Sequence, residues 1–229
     1  MSIITQERWV TVADVFDGDT FRCTDGEKVR LLGINTPETM HGRQAAEPMG
    51  DEATRALSRL IEGKRVRLQT DTDRKDAYGR LLAQVWLADG TWVNGRMVEQ
   101  GLAHVYTFAP NFRWVQPLLD KEAPAREKQL GIWHTSRFSV LDSAEVGQQH
   151  VGDFRVVTGR VSQLNRHDFR FRLDRLSISV PRKYRQWLTA DSLPRDGQQV
   201  TVRGIIRAAG NKGLYLALHS PADLEVEGP

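Results

Sequence analysis

Cysteine is almost missing from this 229-residue chain, in which Cys23 stands alone. A single thiol excludes an intrachain disulfide and any zinc cluster built on thiolates. Its neighbours, Thr20-Phe21-Arg22, read as strand, and nothing beside it would activate a nucleophile, so a packed thiol is expected. Long apolar runs are missing as well. No segment approaches the roughly 18 residues of a membrane span, and the amino terminus has no signal-like apolar stretch, so no membrane partner is expected. The compartment stays open, with export expected if a leader has been removed and a cytoplasmic location otherwise. Nor does one sign of charge dominate, since 32 Lys and Arg face 29 Asp and Glu. The distribution is uneven: residues 150–229 carry 13 Lys and Arg against 8 Asp and Glu, whereas residues 1–149 carry 19 against 21. A basic last third suits a polyanion and an acidic first part suits a bound cation, although ordinary solvated surface gives the same counts.

What is present has clear periods. Trp9 to Val15 and Thr20 to Cys23 alternate on either side of Asp17-Gly18-Asp19, which predicts a hairpin. Asp25-Gly26 turns the chain into a third strand, Val29 to Ile34. A polar loop, Thr39 to Pro48, leads to a helix marked by Ala53, Leu57, Leu60 and Ile61 and closed by Gly63. Arg65 to Leu68 and Leu81 to Leu87 are strand-like, Trp92 to Gln100 is helical, and a third helix is expected over Pro117 to Leu130, kinked or split at Pro124. His134 to His150 has no period and reads as a linker. Beyond it, Phe154 to Leu164, Asp168 to Leu173, Leu176 to Val180, Gln199 to Ala208 and Leu214 to His219 read as strands, with a helix from Pro181 to Ala190 and a turn at Asn211-Lys212-Gly213. Five short strands with a helix between the third and fourth is the order of an OB barrel. The expected domains are 1–133 and 151–229, joined by 134–150.

The chemistry gathers around Val29 to Glu38. Arg30 places a permanent charge in an apolar strand, and Glu38 follows the Thr36-Pro37 turn, an arrangement that suits a phosphate clamp and a water activator. Asp19, the Asn35 side chain and the Thr36 carbonyl could offer oxygens to a hard cation, although Asp17-Gly18-Asp19 is also an ordinary hairpin turn. Arg80, after Tyr78-Gly79, supplies a second guanidinium. Two arginines and a cation around one phosphate describe a phosphoryl-transfer site.

These residues carry a resemblance. Asp17-Gly18-Asp19-Thr20, Val29 to Glu38, Asp76-Ala77-Tyr78-Gly79-Arg80, Val93-Asn94, Gly101-Leu102-Ala103 and Leu130-Gly131-Ile132-Trp133 resemble the staphylococcal nuclease (thermonuclease) family in order and spacing, over Trp9 to Trp133. The resemblance implies an α+β fold, mainly β with three helices on an OB-type barrel, and Ca²⁺-dependent cleavage of DNA and RNA. It implies Asp19, Asn35 and Thr36 as metal ligands, Arg30, Glu38 and Arg80 as catalytic residues, and Tyr78, Tyr106 and Phe108 as substrate contacts. Two positions depart from the family pattern. Phe108 stands where a tyrosine is usual and has no hydroxyl to donate. Asn35 stands where an aspartate is usual, which removes one negative charge and predicts weaker Ca²⁺ binding or a shifted metal preference.

The second, smaller OB-like domain carries no motif of that specificity. Phe169-Arg170-Phe171-Arg172-Leu173 alternates aromatic and basic side chains, and Arg166, Arg182, Lys183 and Arg185 are near in sequence. With Tyr215 as a stacking ring they could form a nucleic-acid groove, or the phenylalanines are core and the arginines solvated. His41, His104 and His167 read as surface or packing residues. Three functions follow as competitors: a metal-dependent nuclease, a nucleic-acid-binding module without turnover, and a protein-interaction scaffold.

Overall fold

The computed structural model describes residues 7–39, 46–210 and 213–227. The chain divides into two compact units, 1–137 and 138–229. His41 and the Asn211-Lys212 turn lie outside the described residues, as does part of the expected polar loop.

In the first unit the chain order is β1 (Glu7–Val15), β2 (Thr20–Cys23), β3 (Lys28–Leu31), β4 (Ile34–Asn35), α1 (Gly50–Ile61), β5 (Arg65–Gln69), β6 (Leu81–Trp86), α2 (Val93–Glu99), β7 (His104–Val105) and α3 (Val115–Glu127). Strands β1-β2-β3-β6-β5 close a barrel in which β3 runs parallel to β6, pairing Val29 with Leu81 and Arg30 with Leu82. The alternation that predicted the strands fills the barrel: Val10, Val12, Phe21, Val29, Leu31, Val66, Leu68, Ala83 and Val85 are all buried. Cys23 joins them, and burial pushes its thiol up to about 11, as suits a packed and unreactive group. Helix α1 lays Ala53, Leu57 and Ile61 on this core. Gly18 permits the close approach of that helix, since a Cβ there would stand 2.6 Å from the Ala53 Cβ and 2.7 Å from the Thr36 Oγ1.

Buried polar side chains then fix the segment after β3. The Asn94 amide donates to the Leu32 and Ala83 carbonyls at 3.0 and 3.2 Å and accepts from the Val85 N–H, while Gln84 also donates to Leu32. Strand β4 is held by β7, with Ile34 opposite Val105 and Asn35 opposite His104. The fully buried Glu122 on α3 accepts from the Val105 N–H at 2.6 Å and faces Arg126 at 3.7 Å. Helix α3 runs through Pro124 as one element rather than two. The proline lies three residues from the helix end, so little of the helix depends on its missing N–H. Two glycines that follow α2 and α3 pack on each other: Gly131 has φ 52°, and a Cβ on it would lie 2.1 Å from the Gly101 oxygen.

The second unit contains β8 (Leu141–Asp142), β9 (Phe154–Asn165), β10 (Arg170–Leu173), β11 (Leu176–Ser179), β12 (Gln199–Ala209), β13 (Gly213–Ala217) and β14 (Leu224–Val226). Pairing of β12 with β9 closes a ring β9-β10-β11-β13-β12, again with the third strand parallel to the fifth. Two expectations need correction. The stretch 134–150 is not a free linker from residue 138 onward, because Phe138, Leu141 and Val146 are buried and β8 pairs parallel to β9. The segment 181–190 forms no α-helix. It holds a 3₁₀ turn at Arg182–Tyr184, and a second spans Ala190–Ser192. Leu188 is its one fully buried side chain, so no apolar stripe exists to pack a helix, and Pro181 sits in extended backbone ahead of the first turn. Among the described residues, no helix is long and apolar enough to cross a membrane.

Two expected outcomes follow. Glu122→Ala leaves the Val105 N–H buried without this acceptor, and chemical denaturation should show a loss of about 1–3 kcal/mol in the first unit. In the second unit Asp223 accepts from the His219 and Ser220 N–H groups, yet burial outweighs these and raises its pKa to about 7. A raised carboxylate pKa stabilises the fold below the unfolded value, near 4, and that contribution is lost as pH rises to about 7. Thermal melts of Asp223→Asn and wild type should therefore converge near pH 4 and diverge by pH 8, with the variant more stable.

Candidate functional site

Arg30 leaves β3 and turns its guanidinium back onto the chain that follows. Nη1 donates to the Leu31 carbonyl at 2.7 Å and the Ile34 carbonyl at 2.8 Å, and Nη2 donates to Asn35 Oδ1 at 2.7 Å and forms an ion pair with Asp19 Oδ2 at 2.9 Å. Three of its five donors are thus used inside the protein, and the ion pair with Asp19 adds a fourth contact. Asp19 is buried at the β1–β2 turn, where its Oδ2 also accepts from the Thr36 N–H and hydroxyl and its Oδ1 accepts from the Thr20 hydroxyl. Its own N–H donates to Asp17, whose pKa is raised to about 6 by burial and by the charge on Asp19. Asn35 donates from Nδ2 to the Thr36 carbonyl at 3.1 Å.

Arg80 approaches from the other side. It begins at a tight turn in which Asp76 accepts from the N–H groups of Tyr78 and Arg80, then receives Arg80 Nε at 2.7 Å. Burial would raise the Asp76 pKa, but these bonds and the Arg80 charge outweigh it and hold the carboxyl below its ordinary value. Arg80 Nη1 reaches the Thr20 hydroxyl at 3.3 Å, and its guanidinium lies 5.4 Å from the ring centre of the exposed Tyr78. Tyr106 and Phe108 meet edge to face at 4.6 Å.

Arg30, Asn35, Tyr78, Arg80, Tyr106 and Phe108 line one cavity of about 480 Å³, together with Asp76 and Asn111. Asp19 and Thr36 are not among its lining residues. Glu38 is exposed and does not line it either; its N–H donates to Glu47 and its carbonyl accepts from Glu47. Asp76 and Asn111 were not singled out from the sequence. Asp76 was visible as the first residue of the Asp-Ala-Tyr-Gly-Arg turn, but its hold on Arg80 was not. Asn111 ties the loop before Asp76 by exchanging bonds with Asp73 across 38 positions, which no local pattern signals.

The sequence pattern described as "Staphylococcal nuclease homologue" matches residues 28–135. The thermonuclease of Staphylococcus intermedius is 38% identical over 125 residues, 53% of this chain and 74% of that protein. The chain belongs to the staphylococcal nuclease family. The thermonuclease of Staphylococcus hyicus is 33% identical over 130 residues, covering 56% of this chain and 76% of its own length. The SPbeta prophage-derived endonuclease YokF of Bacillus subtilis is 36% identical over 129 residues, 54% of this chain and 43% of its length. The pattern match ends at residue 135, so the second unit lies outside it.

Members of this family are generally calcium-dependent, and a hard cation of that kind takes oxygen ligands. Asp19, the Thr36 carbonyl and Asn35 Oδ1 offer oxygens alone, which suits such an ion. Among the described residues, no group of three or more His, Cys, Asp and Glu could hold a metal by itself. Asp19 and Thr36 therefore fit, whereas the one carbonyl oxygen of Asn35 is already engaged by Arg30.

In the second unit, three of the arginines expected to face nucleic acid brace turns instead. Arg166 donates to the carbonyls of Ala190, Leu193 and Pro194, Arg172 to those of Asp174 and Arg175, and Arg185 to those of Val180 and Asp168. Arg170, Arg182 and Lys183 are exposed. Phe171 is core, but Phe169 precedes the strand at φ 58° and is half-buried beneath Arg185. Cross-strand register aligns Arg172, Ser177, Tyr215 and Arg207. His104 is buried and His167 exposed, as packing and surface residues.

Replacing Asp76 with Ala removes the acceptor shared by the Tyr78 and Arg80 N–H groups. Hydrogen exchange should then show both amides losing protection, with the barrel strands unchanged.

Proposed function

We propose that the first unit is a metal-dependent nuclease that hydrolyses phosphodiester bonds of DNA, RNA or both. The observation that carries this reading is the convergence of Arg30 and Arg80 with Tyr78, Tyr106 and Phe108 on one cavity backed by Asp19. Two fixed cations facing a pocket walled by aromatic rings suit a phosphate flanked by a sugar and a base. Asp19 and the Thr36 carbonyl would hold the divalent ion, for which Ca²⁺ is the proposed identity. When bound, such an ion polarises a phosphate oxygen and acidifies a coordinated water. Glu38 accepts a proton from the attacking water or orients it, Arg30 binds the scissile phosphate, and Arg80 stabilises charge on the leaving oxygen. Tyr78, held above Arg80 by the Asp76 turn, packs on the substrate, and Phe108 offers its ring without a hydroxyl. The second unit adds affinity for the same strand through Arg170, Arg182, Lys183 and Tyr215, raising the effective concentration of substrate at the first.

A second reading, binding without turnover, is favoured by one observation. Both Nη atoms of Arg30 are engaged within the protein, through three hydrogen bonds and the ion pair with Asp19, and Asn35 supplies no charge to a cation. Cleavage of single-stranded DNA and RNA, with Ca²⁺, other divalent ions or chelator, separates the two. The nuclease reading expects metal-dependent hydrolysis that falls about 10²–10³-fold in Glu38→Gln and in Arg80→Ala. Salt-sensitive binding with no cleavage by the wild-type chain under any of these conditions establishes the second reading instead.

A further inference from the structure

Asn35 borders both the guanidinium of Arg30 and the oxygens available to a cation, and it has a single carbonyl oxygen to give. That oxygen accepts from Arg30 Nη2 at 2.7 Å, while Nδ2 donates to the Thr36 carbonyl at 3.1 Å. The opposite amide orientation would set the NH₂ against the guanidinium and the oxygen against a carbonyl. Both contacts pair like with like, so the surroundings admit one orientation. A carboxylate at this position has two oxygens and can serve the guanidinium and a cation together. An amide can serve only one of them.

The rest of the geometry shows which it serves. The Leu31 and Ile34 carbonyls fix Arg30 Nη1, so the plane of the guanidinium is set by backbone, and Nη2 is left to Asp19 and Asn35. Of these two acceptors, only Asp19 brings charge to a metal. Once Asp19 is directed to a cation, Asn35 is the acceptor that keeps Nη2 in place. The asparagine is itself held by backbone, since it pairs with His104 in the β4–β7 ladder. Being neutral, it orients Arg30 without cancelling its charge, whereas an aspartate would form an ion pair and weaken the field that a phosphate meets.

We propose that Asn35 is a positioning residue that aims Arg30 at the substrate phosphate, and is not a ligand of the cation. This role rests on the phosphodiesterase reading of the same cavity. Its test uses the full chain and two binding measurements. One is fluorescence anisotropy of a labelled oligothymidylate in chelator, and the other is calorimetric titration with Ca²⁺. Asn35→Ala should weaken the oligonucleotide about tenfold, the loss expected for one hydrogen bond to a charged group. It should leave Ca²⁺ affinity within about twofold and add nothing in an Arg30→Ala background, because the two residues act as one unit. Asn35→Asp, which keeps the side-chain shape, should raise Ca²⁺ affinity about tenfold by restoring a ligand charge, and should weaken the oligonucleotide in chelator. A tenfold loss of Ca²⁺ affinity in Asn35→Ala overturns the proposal, and so does an equal loss of oligonucleotide affinity with and without Arg30. A wild-type chain that binds the oligonucleotide but cuts nothing refutes the nuclease reading alone, and the double-mutant cycle still decides the role of Asn35. A wild-type chain that does not bind it overturns both.

Discussion

A guanidinium set into the end of a barrel must find acceptors or leave charge buried at a cost of several kcal/mol. Arg30, whose side chain is only 12% exposed, meets that constraint with two backbone carbonyls, one amide and one carboxylate. The Leu31 and Ile34 carbonyls become acceptors only because the chain turns back immediately after β3. That reversal is held from below by Asn94 and Gln84 on the Leu32 carbonyl, and β4 is held from the side by β7 and Glu122. The site therefore depends on buried polar side chains whose partners lie 17 to 62 positions away in sequence.

The electrostatics of the first unit are arranged in opposition across a short distance. At the β1–β2 turn Asp17 and the buried Asp19 lie side by side, and burial together with the Asp19 charge lifts the Asp17 pKa, which Arg30 offsets only in part because it pairs with Asp19 directly. On the cavity side both guanidiniums are oriented by acceptors behind them, with Asp76 drawing Arg80 by Nε and Asn35 drawing Arg30 by Nη2. Oriented donors of this kind need little reorganisation when an anion arrives, which is where such sites gain most of their effect.

Much of this was legible in the residues. The period of two in β1, β2 and β3 and the Asp-Gly turns between them located the meander, and the position of Arg30 in an apolar strand marked it as a candidate that the fold does place on the cavity. Arg80 was found because a tight Tyr-Gly-Arg turn precedes a strand. What escaped had non-local causes. The engagement of Asn35 with Arg30 depends on the curl of the chain after β3, and the mutual packing of Gly101 and Gly131 joins two helix ends 30 residues apart. In the second unit Arg182, Lys183 and Arg185 read either as part of a nucleic-acid groove or as solvated surface. Arg185 donates to the Val180 and Asp168 carbonyls and lies over the Phe169 ring, and Lys183 lies over the Tyr184 ring; a sequence pattern cannot distinguish such braces from a groove.

The two units share one strand order, first-second-third-fifth-fourth, with the third strand parallel to the fifth, so the barrel cannot be what distinguishes them. The difference lies in what interrupts the strands. Between its third and fourth barrel strands the first unit inserts β4 and α1, and after its fifth it adds α2, β7 and α3; β4 carries Asn35 into the cavity lining, and the segment between β7 and α3 supplies Tyr106 and Phe108. The second unit has short 3₁₀ turns at the corresponding place between β11 and β12. Its acidic groups are spent locally, Asp223 on a capping turn and Asp174 on the Ser143 hydroxyl, while Arg207 and Tyr215 stand side by side across two strands. A surface with cations and a ring, and with these carboxylates turned to structural bonds, can contribute attraction to a polyanion without supplying a base. The two guanidiniums and the aromatic rings that share one cavity belong to the first unit alone, where the segments between and after the barrel strands bring Asn35, Tyr106 and Phe108 beside Arg30 and Arg80.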